Sequence, residues 1–156
     1  MEVHSLFVYG SLKQGYLRSN VWPHSPVSIC EGVIEARLFD LGPYPAIDLS
    51  RVSSGDRGWV LGELWTLASE HIAETLDRLD QVEGYVPEDP RNEYVRRIVS
   101  VQIDNATSVE AYTYEYADRS RLAGYRRMVA DRLFYGIPCA AWPDYFARVP
   151  KSFDEE

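Results

Sequence analysis

The sequence predicts an α+β fold built on a mixed, curved sheet or small barrel. Three observations carry that expectation. At 156 residues the chain fits a single domain and is too short for two independent cores. Segments of strand character outnumber those of helical character. The two kinds do not alternate in a βαβ rhythm, which argues against a doubly wound sheet. No internal repeat or low-complexity linker interrupts the chain. Residues 1–150 are therefore expected to form one domain, followed by an acidic tail over 151–156 that ends Asp154-Glu155-Glu156.

The elements follow in order. Leu6-Phe7-Val8-Tyr9 reads as a buried strand, stopped by Gly10-Ser11. Residues 14–22 read as a loop with a short helix. Residues 27–41 read as extended, broken at Gly32 and closed by Gly42-Pro43. Tyr44-Pro45-Ala46-Ile47 is expected to be a rigid loop, because the prolines at 43 and 45 remove two donors and disfavour helix before them. Residues 58–67 form a second strong strand, carrying Trp59, Val60, Leu61, Leu64 and Trp65.

The clearest helix runs from Ser69 to Val82 or Glu83. Ser69 suits the N-cap, Glu70 and Glu74 suit the positive end of the helix dipole, and Gly84 is a natural stop. A polar loop with Pro87 and Pro90 follows. Residues 93–103 and 109–116 read as two strands joined by the turn residues Asp104-Asn105. A second helix is predicted over 119–135, ending at Gly136.

Composition narrows the function. Hydrophobic residues make up 46% and charged residues 26%, the balance of a soluble globular protein, and 13% aromatics exclude a disordered chain. The formal charge of -8 repels phosphates, so general binding to nucleic acid or to an anionic membrane is not expected. Arg119, Arg121, Arg126, Arg127 and Arg132 cluster in one segment and read as a solvated face of the second helix. Cys30 and Cys139 are the only cysteines, too few for a disulfide framework or a zinc site. The first residues have no basic n-region, the apolar stretch after them is too short for a signal peptide, and no run is long enough to span a membrane. The expectation is a cytoplasmic protein with both thiols reduced and buried. Asn105-Ala106-Thr107 has the form of a glycosylation sequon and reads as a turn.

One residue stands in an unusual place. Ile72, Leu76 and Leu79 form an apolar stripe on the first helix, and the next position of that series is Glu83. A carboxylate there points toward the core side, at the negative end of the helix dipole. Desolvation and the dipole both disfavour its charged form, so its pKa is expected to be raised, as general base work near neutrality requires. The alternative is that the helix frays before Glu83, whose side chain then reaches solvent or pairs with an arginine. Asp77 and Asp80 lie off the stripe and read as surface residues.

The second feature is Tyr9-Gly10-Ser11-Leu12, directly after the first strand. Gly10 permits positive φ and close backbone approach, so successive N–H groups can form an anion-binding nest for a carboxylate or a developing oxyanion. The alternative is an ordinary turn. No phosphate loop or GxGxxG occurs. Ser11 lacks the Gly-x-Ser-x-Gly elbow of a serine hydrolase. His4, His24 and His71 show no ligand spacing and read as structural or surface residues.

Five segments, in order, resemble a known family: Phe7-Val8-Tyr9-Gly10-Ser11-Leu12-Lys13, Gly42-Pro43-Tyr44-Pro45-Ala46, Val60-Leu61-Gly62-Glu63-Leu64, Leu79-Asp80-Gln81-Val82-Glu83-Gly84-Tyr85 and Tyr94-Val95-Arg96-Arg97. They are similar to the γ-glutamylcyclotransferase-like family, which includes γ-glutamylamine cyclotransferases and AIG2-like proteins. The resemblance covers residues 7 to about 116; the segment 119–135 and the tail carry no family motif.

The resemblance implies a small mixed β-barrel flanked by helices, with no metal or cofactor. It maps the family's proton-accepting glutamate onto Glu83 and its substrate-cradling turn onto Tyr9, Gly10, Ser11 and Leu12. The implied reaction is intramolecular: the α-amine of a γ-glutamyl group attacks its own γ-carbonyl and releases 5-oxoproline and a free amine. The amides of 9–12 would hold the glutamyl oxygens, either the α-carboxylate or the reacting carbonyl. Tyr44 and Ile47 are expected to wall the pocket. Tyr94 and Tyr116 are expected to offer hydroxyls to the glutamyl end, the alternative for each tyrosine being a core or barrel-wall aromatic.

The expected partner is thus a small γ-glutamyl substrate, with no nucleic acid and no membrane, acting on a monomer or homodimer. The leaving amine is an amino acid, a lysine side chain or an aminoglycoside-type natural product, and the acidic surface favours a polycationic one. Two other readings stand beside this. One is a non-catalytic AIG2-like binding or regulatory module on the same fold. The other is hydrolysis or transfer to an outside acceptor.

Overall fold

The computed structural model describes residues 3–10, 12–13, 19–50 and 58–142. Ser11, much of the predicted 14–22 loop, and the tail lie outside the described residues. Five strands close into a barrel in the order β1 (Ser5–Val8), β5 (Trp59–Thr66), β2 (Ser28–Glu35), β6 (Tyr94–Gln102) and β7 (Ser108–Tyr116). Every pair is antiparallel except the closing one, where β1 meets β7 in parallel at Leu6↔Tyr112. Closure leaves none of the five with an open edge. Beside the barrel lies a three-stranded sheet of β4 (Pro45–Asp48), β3 (Arg37–Asp40) and β8 (Arg126–Arg127), and a hairpin of β9 (Arg132–Phe134) and β10 (Ile137–Cys139). The helices are α1 (Ile72–Glu83) and the short α2 (Arg119–Leu122).

The alternation of a strand explains how β1 organises the core. Leu6 and Val8 join one apolar cluster with Trp65, Leu79, Tyr94, Tyr114 and Tyr116. Phe7 and Tyr9 join a second with Ile34, Leu38, Ile47, Val60 and Val101. A strand buried on both faces is apolar throughout, which is why this segment shows no polar alternation. From α1, Ile72, Leu76 and Val82 pack against the first cluster, and Leu79 is fully buried in it.

Several sequence expectations are corrected. Gly32 does not break its strand: it sits opposite Gly62 inside β2, where a Cβ would come within 2.6 Å of Val101 Cγ1. Residues 45–48 are not loop but β4, paired Asp40↔Pro45 to Arg37↔Asp48. Pro45 opens the strand, a place where its missing N–H is tolerated. The first helix is not capped by Ser69. Ala68 holds the extended cap position, Ser69–His71 form a 3₁₀ turn, and α1 proper begins at Ile72. Cys139 is buried but Cys30 is exposed, on the solvent-facing part of β2.

The predicted second helix covers only Arg119–Leu122, capped by Asp118, which accepts from the N–H and hydroxyl of Ser120. The chain then pairs with the edge of β3, with Arg126 on Asp40 at 3.1 Å, so the arginine cluster is not one helix face. Gly136 is not a helix stop but, with Tyr135, the left-handed pair of a two-residue hairpin turn between β9 and β10 (φ 81° and 48°).

A buried charge network ties β3 and β4 to β7. Asp48 is 2% exposed, is paired with Arg37, and accepts from the N–H of Ser50; Arg119 reaches it at 3.5 Å. Glu115 accepts from the N–H of Leu49 and pairs with Arg97 at 3.1 Å. Burial alone would raise the Asp48 carboxyl, but the Ser50 N–H and the Arg37 guanidinium outweigh it and hold the carboxyl below the usual range. A folded pKa below the unfolded one gives stability that is present above the unfolded value and lost as pH falls through the folded one. In thermal melts, wild type should exceed Asp48→Asn most near neutral pH, and the gap should close below about pH 4. A gap that is constant down to about pH 2 would show that Asp48 is not charge-stabilised.

Candidate active site

Glu83 is the last residue of α1. The helix does not fray before it: Gly84 follows at φ 70°, and the Tyr85 N–H closes on the Asp80 carbonyl at 2.8 Å. Glu83 is half-buried. It faces a narrow hollow of about 30 Å³ whose walls are Tyr9, Gly10 and Leu12 from the first turn, Tyr44 and Pro45 from the β3–β4 connection, and Tyr94 and Tyr114 from the barrel. An outer hollow of about 150 Å³ shares Tyr44, Glu83 and Tyr94 and adds Val82 and Glu93. The larger cavities, of about 330 and 480 Å³, lie elsewhere and are lined by none of the catalytic or substrate-binding candidates read from the sequence.

The first turn is held by its neighbours. Trp22 stacks on Trp65 with centroids 4.0 Å apart and donates its indole N–H to the Leu12 carbonyl at 3.0 Å. Gly10 does not adopt positive φ. It is small because Pro45 lies against it: a Cβ would meet Pro45 Cγ at 2.9 Å.

Three of the tyrosines that line the hollow donate their hydroxyls to the protein. Tyr9 gives its proton to the Tyr114 carbonyl at 2.6 Å, Tyr94 to the Pro45 carbonyl at 2.9 Å, and Tyr114 to Asp80 Oδ1 at 2.6 Å. Burial, then the neighbouring Tyr9 and the charges of Glu83 and Glu93, push the Tyr94 phenol well above its ordinary range. Burial, then the hydrogen bond to Asp80, do the same for Tyr114. Both therefore stay neutral at any physiological pH. A carboxylate at a tyrosine-walled hollow suits a cationic amine.

Of the residues proposed from the sequence, Tyr9, Gly10, Leu12, Tyr44, Glu83 and Tyr94 meet at this hollow. Ser11 lies outside the described residues. Ile47 and Tyr116 do not line it. Ile47 is 0% exposed in the second cluster, and Tyr116, 2% exposed, packs edge-on behind Tyr94 at 5.5 Å. Tyr114 and Pro45 were missed. The alternation of β7 was the available signal for Tyr114, since 112, 114 and 116 share one face. Asp80 is not a surface residue: its side chain is 17% exposed and bound by Tyr114 and Arg96. His24 and His71, unrelated by spacing, stack 3.8 Å apart with Glu74 on His24 at 2.7 Å. Among the described residues no group of three or more His, Cys, Asp or Glu side chains could hold a metal ion, and no helix is long and apolar enough to cross a membrane.

A closed mixed barrel carrying a helix-terminal glutamate over a tyrosine-walled hollow defines an α+β class that comparison identifies. Residues 6–135 match the family described as Gamma-glutamyl cyclotransferase, AIG2-like, and the chain belongs to it. Two solved structures share the fold. YkqA from Bacillus subtilis is 19% identical, with a TM-score of 0.54 over 74% of this chain and 36% of that one. At5g39720.1 from Arabidopsis thaliana is 27% identical, with a TM-score of 0.53 over 77% of this chain and 74% of that one. The present chain thus spans about a third of the length of YkqA. No curated protein matches.

Proposed function

We propose that this protein is a γ-glutamyl cyclotransferase that converts a γ-glutamyl amine into 5-oxoproline and the free amine, with Glu83 as the proton carrier. The observation that carries the reading is the meeting of Glu83 with the first turn at one hollow. Glu83 takes a proton from the α-ammonium. The freed nitrogen attacks the γ-carbonyl carbon, the bond to the leaving nitrogen breaks, and the protons lost by the ring nitrogen pass through Glu83 to the departing amine, which leaves as an ammonium. No water or co-reactant is consumed. The Glu83 carboxylate in the wall suits the starting ammonium. Folding the substrate into a ring-ready conformer supplies several kcal/mol of proximity, of the ~7–11 kcal/mol that ideal orientation can give.

The glutamyl group is larger than the inner hollow, so it is placed across both, with the Tyr44 ring at their junction. The test is a panel of γ-glutamyl amines assayed for 5-oxoproline. Formation from at least one member is expected, and none from any member sinks the proposal. Free glutamate instead of 5-oxoproline means hydrolysis. The narrowness of the inner hollow favours the second reading, a non-catalytic binding module, which the same panel separates by binding without product.

The outer hollow holds a second carboxylate, Glu93, which accepts from the Tyr44 hydroxyl at 3.5 Å. Two carboxylates beside the departing group favour an amine that carries further positive charge. Glu93→Gln is expected to raise KM about 3–10-fold for a polycationic leaving amine, most at low salt, and to leave a neutral one unchanged, the scale of one solvated charge pair. Equal effects on both substrates would remove Glu93 from selection.

A further inference from the structure

Resting on that reading, we infer that Asp80 is a positioning residue for Glu83, gripped by Arg96 and Tyr114 so that the last turn of α1 cannot rotate away from the hollow. Arg96 and Tyr114 are direct partners across the β6–β7 ladder, so their side chains leave the same face of the barrel together. Asp80 bridges them, with Oδ1 accepting from the Tyr114 hydroxyl at 2.6 Å and Oδ2 facing Arg96 at 2.5 Å.

Asp80 stands one turn before Glu83, so the two residues share a helix face. The far side of Glu83 is held by the same arginine, whose guanidinium lies over the Tyr85 ring at 5.6 Å and over Tyr112 at 5.4 Å. Positions 80 and 85 are thus fixed to one cation, with Glu83 between them. The grip has a cost that points to a purpose. An aspartate in the last turn of a helix opposes the dipole, and this turn holds no basic residue. A neutral residue would pack α1 against the barrel without that opposition. The carboxylate is what lets one helix position take hold of two strands. Tyr114 also walls the hollow, so the grip ends at the site itself.

The test is Asp80→Asn in wild-type and Glu83→Gln backgrounds, with steady-state kinetics on a substrate that yields 5-oxoproline. In wild type, kcat should fall about 10–100-fold with KM changed less than about threefold, the scale of an ångström-sized misplacement. In the Glu83→Gln background the same change should cost less than about twofold, because the residue through which Asp80 acts is already lost. Equal losses in both backgrounds, or a rise in KM that accounts for the whole effect, would make Asp80 a structural clamp only. Tyr114→Phe removes one oxygen and serves if Asp80→Asn does not fold, with the same pattern expected.

Crystal structures of wild type and Asp80→Asn keep this inference apart from the enzymatic one. Displacement of the Glu83 carboxylate by about 1 Å or more supports the positioning role even if no substrate yields 5-oxoproline. An unmoved carboxylate overturns it even if wild type is active.

Discussion

Glu83→Gln is expected to leave the fold and the melting temperature close to wild type and to lower kcat about 10³-fold, within the range that a positioned acid–base group contributes. The amide is nearly isosteric and can still accept a hydrogen bond, so substrate should bind with a KM within a few-fold of wild type. What it cannot do is take the proton of an α-ammonium. An ammonium has no lone pair, so without that transfer the ring-closing bond cannot form, however well the glutamyl chain is folded. The residual rate should come from proximity alone. Two features of the site make the loss hard to replace. The Tyr94 and Tyr114 phenols are pushed away from ionisation by burial and by nearby acids, so neither takes over as base. Glu93, the other carboxylate at the outer hollow, is the nearest substitute. If Glu83→Gln retains more than about a tenth of kcat and Glu83→Gln/Glu93→Gln does not, the base is Glu93. If both variants stay active, the proton is taken by solvent and the mechanism is wrong.

Much of this arrangement was legible before the structure. Of the barrel strands, β1 and β5 are legible as largely apolar runs, and β6 and β7 through the turn residues Asp104-Asn105 between them. The placement of Glu83 followed from helical spacing, since the series 72, 76, 79 reaches it at the next step. What failed did so for a physical reason in each case. Gly136 and Pro45 carry the same local signal in two settings: a left-handed glycine ends a helix or turns a hairpin, and a proline breaks an element or opens an edge strand. Only pairing with the neighbouring strand decides, β9 for Gly136 and β3 for Pro45, and neither residue reports that pairing by itself. The segment after 122 adds to β3, more than eighty residues earlier in sequence. Asp80 looked like a surface residue because helical periodicity reports only which face is apolar. It cannot show that two strands present a phenol and a guanidinium to the polar flank. Tyr116 and Tyr114 differ by one strand repeat, and only the depth of the barrel wall separates a residue behind the hollow from one lining it.

Leu79→Ala is expected to destabilise the protein by about 3 kcal/mol, within the ~2–5 kcal/mol seen for such truncations. Leu79 is 0% exposed and is the one apolar side chain of α1 that is fully buried; Ile72, Leu76 and Val82 only lean on the same cluster. The cost combines lost transfer energy with a cavity that the barrel cannot collapse to fill, because its five strands are closed on one another. Urea unfolding should show a lower midpoint with an unchanged m-value, and Leu76→Ala should cost less than half as much. The consequence reaches the site, because α1 is also the arm that carries Glu83. A helix released from its one deep anchor frays from its ends, and the end concerned is the one that meets the hollow. Activity in Leu79→Ala should therefore fall at temperatures well below its own melting point, and should recover in part with a bulkier apolar side chain such as methionine. A loss of activity that tracks only the unfolded fraction would mean that the grip on Asp80 holds the end of α1 without help from the core.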